Sequence, residues 1–444
     1  MGMVVKNNIS ALNTLNTMNR NNNALSKSLE KVSSGMKINS AADDASGYAI
    51  SERMRVQIRS LDQANQNAQN GNKLLKTAEG AVSSTLDILK TLKEKVVNAA
   101  NDTNTTADRQ IIQDELNQAI DQINDNASVT FNGKTLVDGS MNKAIVTATT
   151  AAFTNQSLGS TTASNSALTT LTDRNGNTLD IKASDKIKVS FVQNGRTFTT
   201  EYTVSNTSLS TIFTNASTAA GGSFGFGTTI LAASAIGKDA TGTTSFTADG
   251  GNAITVISSK GGTEGQVSGF SISVSGVDGN VKKSINQKLD NFSNTIKAQD
   301  KSNNNALTLQ IGTQSNQSIN VGLSDMRAKS LGLQGSDPIT GTVKNIDITT
   351  KDNANAAINV LDTAITKVLS EQTKIGSVQN RLEYTSANLT TASENVSAAE
   401  STIRDANIAK EMTEFTKNNI LMQASQAMLA QANQSTQNVL SLLQ

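Results

Sequence analysis

Large apolar side chains recur every seventh residue in three stretches of the chain, and each stretch predicts one long amphipathic helix. The first runs through Met54, Leu61, Ala68, Leu75, Val82, Leu89 and Val96 without a miss, flanked by Ile58, Leu86 and Leu92. It predicts a helix of about 50 residues starting near Ala41, roughly 75 Å long at 1.5 Å per residue. The second runs through Leu361, Val368, Ile375, Leu382, Leu389, Val396 and Ile403. The third holds Ile408, Phe415, Met422, Leu429 and Leu443, with a miss at Thr436 and with Met412, Leu421, Met428, Val439 and Leu440 beside it. Its phase differs from that of the second series, and a phase break in a regular repeat marks where a helix changes partners. A joint is therefore expected between Ile403 and Ile408, with its mate near residues 33–42.

The start of the chain is the counterpart of its end. Ile9 and Leu12 lead into Leu15, Met18, Leu25, Leu29, Val32 and Met36, and Ser33-Ser34-Gly35 interrupts the run. Residues 7–19 carry no charge, nor do the 27 residues after Lys417. A solvated helix carries Lys and Glu on its outer face, so uncharged polar faces predict helices surrounded by protein. The two ends are expected to meet each other and further copies of the chain. An isolated pair this narrow buries too little apolar surface to offset its ordering entropy, which predicts ends that order on association.

Between these ends, residues 101–106 break the first rod, and Thr105 with Asp108 reads as a capping box for a helix with an Ile112, Leu116, Ile120 and Ile123 stripe. That helix is expected to fold back on the rod. Residues 128–138 read as a β element around an Asn132-Gly133 turn. From about residue 140 to 305 the composition shifts to Thr, Ser and Gly. Ile187, Val189 and Phe191 alternate before an Asn194-Gly195 turn, Phe198, Tyr202 and Val204 follow it, and Phe270, Ile272 and Val274 precede Asp278-Gly279. One or two small β-rich domains are expected there. Leu307, Leu309 and Ile311 with Ile319 and Val321 predict one more hairpin. The fold class is mainly α: long antiparallel helical coiled-coil rods from both chain ends, with β-hairpins and an inserted β-rich outer region.

Composition narrows the chemistry. The 444 residues include no His, no Cys, no Trp, one Pro (Pro338) and 3% aromatics, so the core material is Leu, Ile, Val and Ala. Zero His and zero Cys remove Ser-His-Asp and Cys-His nucleophile systems and His-zinc sites. Gly133-Lys134-Thr135 lacks the first glycine of a phosphate loop, with Ser128 in its place. Asp173-Arg174-Asn175-Gly176 fails the calcium-loop spacing, with Ser184 where a bidentate Glu belongs. Asp43-Asp44 beside Ser40 reads as a helix entry. No enzymatic activity, metal or cofactor is expected. With 38 basic against 37 acidic residues no net field favours nucleic acid or an anionic membrane. No stretch approaches 18 apolar residues, and the start lacks the apolar core of a signal peptide, so work outside the cell requires another export route.

Three blocks of residues resemble bacterial flagellins. One is the run from Asn7-Asn8-Ile9-Ser10-Ala11-Leu12 to Ser33-Ser34-Gly35-Met36-Lys37-Ile38-Asn39-Ser40-Ala41-Ala42-Asp43-Asp44 and Ala49-Ile50-Ser51-Glu52. The others are Gln379-Asn380-Arg381-Leu382 with Ala399-Glu400-Ser401-Thr402-Ile403-Arg404-Asp405, and the closing Val439-Leu440-Ser441-Leu442-Leu443. The resemblance covers roughly residues 4–140 and 306–444. It implies five segments: a D0-like helix (1–40), D1-like rod helices (41–140), a variable D2/D3-like insert (141–305), a D1-like hairpin and rod (306–403) and a second D0-like helix (404–444).

It also implies a motility-filament subunit exported unfolded through the flagellar type III apparatus, without a cleaved signal peptide, and polymerised beneath a cap into an extracellular flagellum. Implied partners are further copies of itself, hook-junction and cap proteins, the export apparatus and its chaperone. Self-assembly is expected of Leu12, Leu15, Met18, Leu25, Leu29, Val32, Ile408, Met412, Phe415, Met422, Leu429, Leu440 and Leu443, and rod packing of the two unbroken seven-residue series. Some flagellins carry a zinc metallopeptidase in the insert, which the absence of His removes here. Many carry Leu-Gln-Arg-x-x-x-Leu for the flagellin-sensing Toll-like receptor. Leu89, Lys90, Thr91 and Lys95 stand in that run, with Gln113 and Glu115 on the next helix, so Thr91 replaces the Arg and Lys95 the last Leu. Weakened receptor binding is expected. The alternatives are a hook–filament junction protein, or a surface adhesin on a helical stalk.

Overall fold

The computed structural model describes residues 8–205, 207–219, 226–232, 235–246, 252–336 and 342–441. Its helices are α1 (Ile9–Ser34), α2 (Ala45–Ala99), α3 (Thr106–Ala127), α4 (Leu209–Ala219), α5 (Lys283–Leu289), α6 (Ala328–Leu331), α7 (Lys351–Arg404) and α8 (Ile408–Ser441). The chain divides into two compact units. One holds Met1–Gln69, Gln310–Gln317 and Tyr384–Gln444, the other Asn70–Leu309 and Ser318–Glu383.

Local signals set the helix ends. The Asn8 side chain caps α1 through Ala11 N, and Gly35, at φ 72°, closes it by donating to Lys31 O. Asp44 Oδ1 accepts from Ser46 N and Gly47 N at the start of α2, the helix-entry role its pair with Asp43 suggested. A Cβ at Gly47 would meet Asp44 Oδ2 at 2.5 Å and Ile38 Cδ1 at 2.7 Å, so a larger residue there would displace these side chains. At α3 the Thr105–Asp108 capping box forms in both directions, and the Thr105 hydroxyl holds the Asp108 carboxyl below its ordinary range.

In the second unit α2 and α7 run antiparallel, tied by Lys93–Asp362 at 2.5 Å and by Gln379 Nε2 donating to Glu79 at 2.8 Å. Leu75, Val82, Leu89, Val96, Leu361, Val368 and Ile375 are fully buried, and Leu382 nearly so. The α3 helix folds back on α2, with Asn126 donating to Ser84 and Lys95 paired with Glu115, and it buries Leu116, Ile120 and Ile123. In the first unit the same two helices are linked by Ser386 to Asn65, Ser393 to Asp62 and Arg55 to Glu400. There Met54, Leu389, Val396 and Ile403 are only half-buried, while Leu61 is buried. A two-helix ribbon covers one stripe of each partner, whereas a third helix closes the flank.

The strands are β1 (Thr130–Phe131), β2 (Lys134–Thr135), β3 (Ala152–Asn155), β4 (Lys186–Gln193), β5 (Arg196–Thr203), β6 (Phe226–Ala232), β7 (Ala235–Lys238), β8 (Thr244–Phe246), β9 (Asn252–Ser258), β10 (Val267–Ser275), β11 (Ser293–Ile296), β12 (Leu307–Gln310), β13 (Ser318–Val321), β14 (Gln334–Ser336) and β15 (Val343–Asn345). Asn132 and Gly133 adopt φ 50° and 75° between β1 and β2, and Asn194 and Gly195 φ 53° and 72° between β4 and β5, as two-residue hairpins of this handedness require. Gly195 is further constrained, since a Cβ would lie 2.3 Å from Lys344 O.

Sheets β11-β3-β9-β6 and β10-β4-β5 enclose one apolar core, in which Phe191 stacks on Phe198 at 5.3 Å and Phe270 meets Phe292 edge-on at 5.0 Å. Among the described residues of 141–305 a smaller cluster of Ala152, Ile236 and Ile296 accompanies this core. The insert is also not purely β: α4 buries Leu209, Ile212, Phe213 and Ala216, a helical spacing within a Thr/Ser-rich run. The Asp173 loop is closed by protein groups, with the carboxylate taken by Lys288 and by Asn175 N and Asn177 N. The Lys288 bond holds its pKa down to about 2.

Candidate assembly surface

The terminal helices α1 and α8 lie antiparallel along each other in the first unit. Their register is set by amides. Asn8 Nδ2 donates to Ala432 O (3.2 Å), Asn21 Nδ2 to Leu421 O (3.3 Å) and Ser425 Oγ (2.8 Å), and Asn418 Nδ2 to Ser28 Oγ (3.0 Å). Ser28 and Ser425 are the buried side chains of this contact, and Met18, Leu25, Val32, Phe415, Met422 and Leu429 are half-buried around them. Uncharged polar groups therefore serve the pairing itself, where a charge would have to be desolvated without a partner.

A different set faces outward. Leu12 is 59% exposed and Leu29 53%, and Ile9, Leu15, Ile408, Met412, Ile420, Leu421 and Met428 are exposed with them. Leu12, Leu15, Leu29, Ile408 and Met412 do not join the contact that holds Met18, Leu25 and Phe415. One helix covers a stripe on its neighbour narrower than these apolar faces. Leu440 lies in α8 without a described side chain, and Leu443 lies outside the described residues.

The two helix breaks meet. Met36 bridges Asp405, Lys37 N donates to Arg404 O at 2.6 Å, and Ala406 N donates to Gly35 O at 2.9 Å. Arg404, 5% exposed, anchors this joint: its guanidinium donates to Glu52 at 2.5 Å and Ser51 Oγ at 3.4 Å and lies 5.2 Å over the Tyr48 ring. The Arg404 hydrogen bond holds the Glu52 carboxyl below its ordinary range. Both residues stand in motifs visible in the sequence, yet no local signal joins positions more than three hundred residues apart.

Of the residues expected to face a receptor, Lys90, Thr91 and Glu115 are exposed and Lys95 pairs with Glu115 at 3.0 Å. Leu89 and Gln113 are corrected to interior positions. Leu89 is fully buried in the rod seam, and Gln113 donates to Ile346 O (3.0 Å) and accepts from Ile348 N (2.7 Å). The spacing of Gln113, Leu116, Ile120 and Ile123 places Gln113 on the inner face of α3, which was readable from the periodicity. Among the described residues no helix is long and apolar enough to cross a membrane, and no group of His, Cys, Asp and Glu is placed to hold a metal.

Residues 5–142 match the family described as bacterial flagellin N-terminal helical region, and residues 358–443 match the bacterial flagellin C-terminal helical region. The chain is 36% identical to a flagellin of Clostridium tyrobutyricum over 438 residues, 98% of this chain and 100% of the relative. It is 34% identical to a flagellin of Bacillus subtilis, covering 99% and 100%. A solved structure of FliC from Burkholderia pseudomallei overlaps 70% of this chain and 99% of its own, at 18% identity and a TM-score of 0.26.

Proposed function

The chain belongs to the bacterial flagellins and is a structural subunit of the flagellar filament, and from that premise we propose how its parts divide the work of assembly. The α1–α8 pair forms the innermost layer, and its outward apolar face packs against the same pair in neighbouring copies. The α2–α7 rods with α3 form the next layer, and residues 141–305 project outward. In segments, 1–40 and 404–444 line the channel, 41–140 and 306–403 build the rods, and 141–305 decorate them. The observation that carries this is the set of apolar side chains on α1 and α8, among them Leu12, Leu15, Leu29, Ile408 and Met412, that a single chain leaves exposed.

Export follows the same logic. A chain without cysteines crosses a narrow channel unfolded with no cross-linking, through the type III apparatus with a chaperone, to grow beneath a cap from hook-junction proteins. A Toll-like receptor that senses flagellin binds it weakly, because Thr91 and the paired Lys95 stand where an Arg and a Leu would make contact.

Electron microscopy of purified full-length chain and of a chain ending at Asp405, each seeded and salted out, tests the assembly reading. Filaments from the first and monomers from the second are expected. Polymers from the truncated chain would move assembly out of the terminal pair.

A further inference from the structure

A cavity of about 340 Å³ in the second unit opens between residues 297–302, where the chain leaves the insert, residues 324–330, and the middle of α7. Lys367 lines it while only 8% exposed. Its Nζ donates to Ser330 O at 2.8 Å, and the Gln266 amide oxygen accepts from it at 2.8 Å in the orientation that satisfies both amide atoms. Both partners are neutral. Lys297 lines the same cavity, and among the described residues neither lysine has a carboxylate within ion-pair distance.

The carboxylates of the lining are already engaged. Glu371 accepts from Ser324 N (3.0 Å) and Lys374 Nζ (3.4 Å), and Asp325 accepts from Arg327. Asp300 accepts from Thr263 N (2.8 Å) and Oγ1 (2.7 Å), and Asp138 from Ser140 N (2.9 Å). Burial, aided by the neighbouring Lys297 charge and opposed by Asp325, pushes the Lys367 ammonium down to about 7. A buried cation beside a second cation is costly unless an anion joins them.

We propose that this cavity binds a small inorganic oxoanion of the phosphate or sulfate class, held by Lys367 and Lys297 with Lys374 at its rim. The volume suits a small ligand, and the lysines of the lining can donate to an acceptor with oxygens on every side. Lys297 belongs to the chain leaving the insert and Lys367 to the rod helix, so the bound anion ties one to the other.

Calorimetric melting of the full chain, kept below its polymerising concentration, compares chloride with phosphate and sulfate at equal ionic strength and pH 7. At a hundredfold excess over Kd the two oxoanions should raise Tm by about 4 °C or more. Lys367→Met keeps the volume and removes the charge, so it should melt no earlier in chloride and lose the oxoanion increment. Isothermal titration of inorganic phosphate should show one saturable site, at least tenfold weaker in Lys297→Met. The same increment in Lys367→Met would mean general salting-out of the surface and would overturn the site, as would the lack of saturable binding by the natural chain.

Discussion

Replacing Leu12 and Leu29 by alanine separates assembly from the fold of a single chain. Each substitution deletes three carbons, worth ~2.4 kcal/mol when fully withdrawn from water at ~0.8 kcal/mol per methylene. Leu12 retains 59% and Leu29 53% of its exposure in the single chain, so packing against neighbouring copies has ~1.4 and ~1.3 kcal/mol left to gain from them. Alanine is at least as good a helix former as leucine, so α1 itself should not weaken. The double variant should therefore lose ~2.7 kcal/mol per subunit added, which raises the critical concentration for elongation about a hundredfold. Sedimentation of seeded filaments against total protein measures it, with circular dichroism of the dilute chain as the control. A critical concentration within twofold of the natural chain, at unchanged helicity, would refute the outward face as the growing interface.

Gln423 and Gln431 are exposed on the uncharged part of α8; Gln423→Glu or Gln431→Lys should shorten filaments or reduce secreted subunit, read by microscopy and by blotting of the medium, and normal filaments would count against a charge-intolerant channel wall. Asp290 responds to pH, because burial pushes its carboxyl up to about 6 and Oδ1 has no hydrogen-bond partner. A carboxyl raised in the folded state contributes stability below its unfolded value near 4 and loses it as pH rises to about 6. Asp290→Asn should therefore gain on the natural chain over that window by roughly 2–3 kcal/mol and hold the gain above it, as urea titrations at pH 4, 5, 6 and 7 would show; a constant difference would sink this. Thr91→Arg with Lys95→Leu should strengthen binding to purified flagellin-sensing receptor by ~1–3 kcal/mol for each contact restored, and nanomolar binding by the unaltered chain would contradict the weakened site.

Much of the rod was legible because its signal is local. A seven-residue repeat in α2 and another in α7 need only a partner of the same period, and the structure buries Leu75, Leu89, Leu361 and Val368 on those seams. Capping by Thr105 and turning at Asn132-Gly133 are local for the same reason. The insert was less legible: β3 pairs with β9 about a hundred residues away and with β11 farther still, and alternation identifies a strand without naming its neighbour. In the candidate surface, the uncharged composition pointed to assembly, but the division of its apolar residues into paired and outward sets did not show. Leu12 and Met18 obey the same periodicity, and only the position of α8 makes one outward and the other half-buried.

The sequence by itself determined that this protein is a set of long helices with charge-free ends and no thiol or imidazole chemistry, because period, charge and composition act on each segment where it stands. Tertiary structure decided the amide ladder of Asn8, Asn21 and Asn418, the Arg404–Glu52 joint and the buried Lys367. Each of these depends on which distant backbone arrives beside a side chain, and a one-dimensional pattern does not contain that distance.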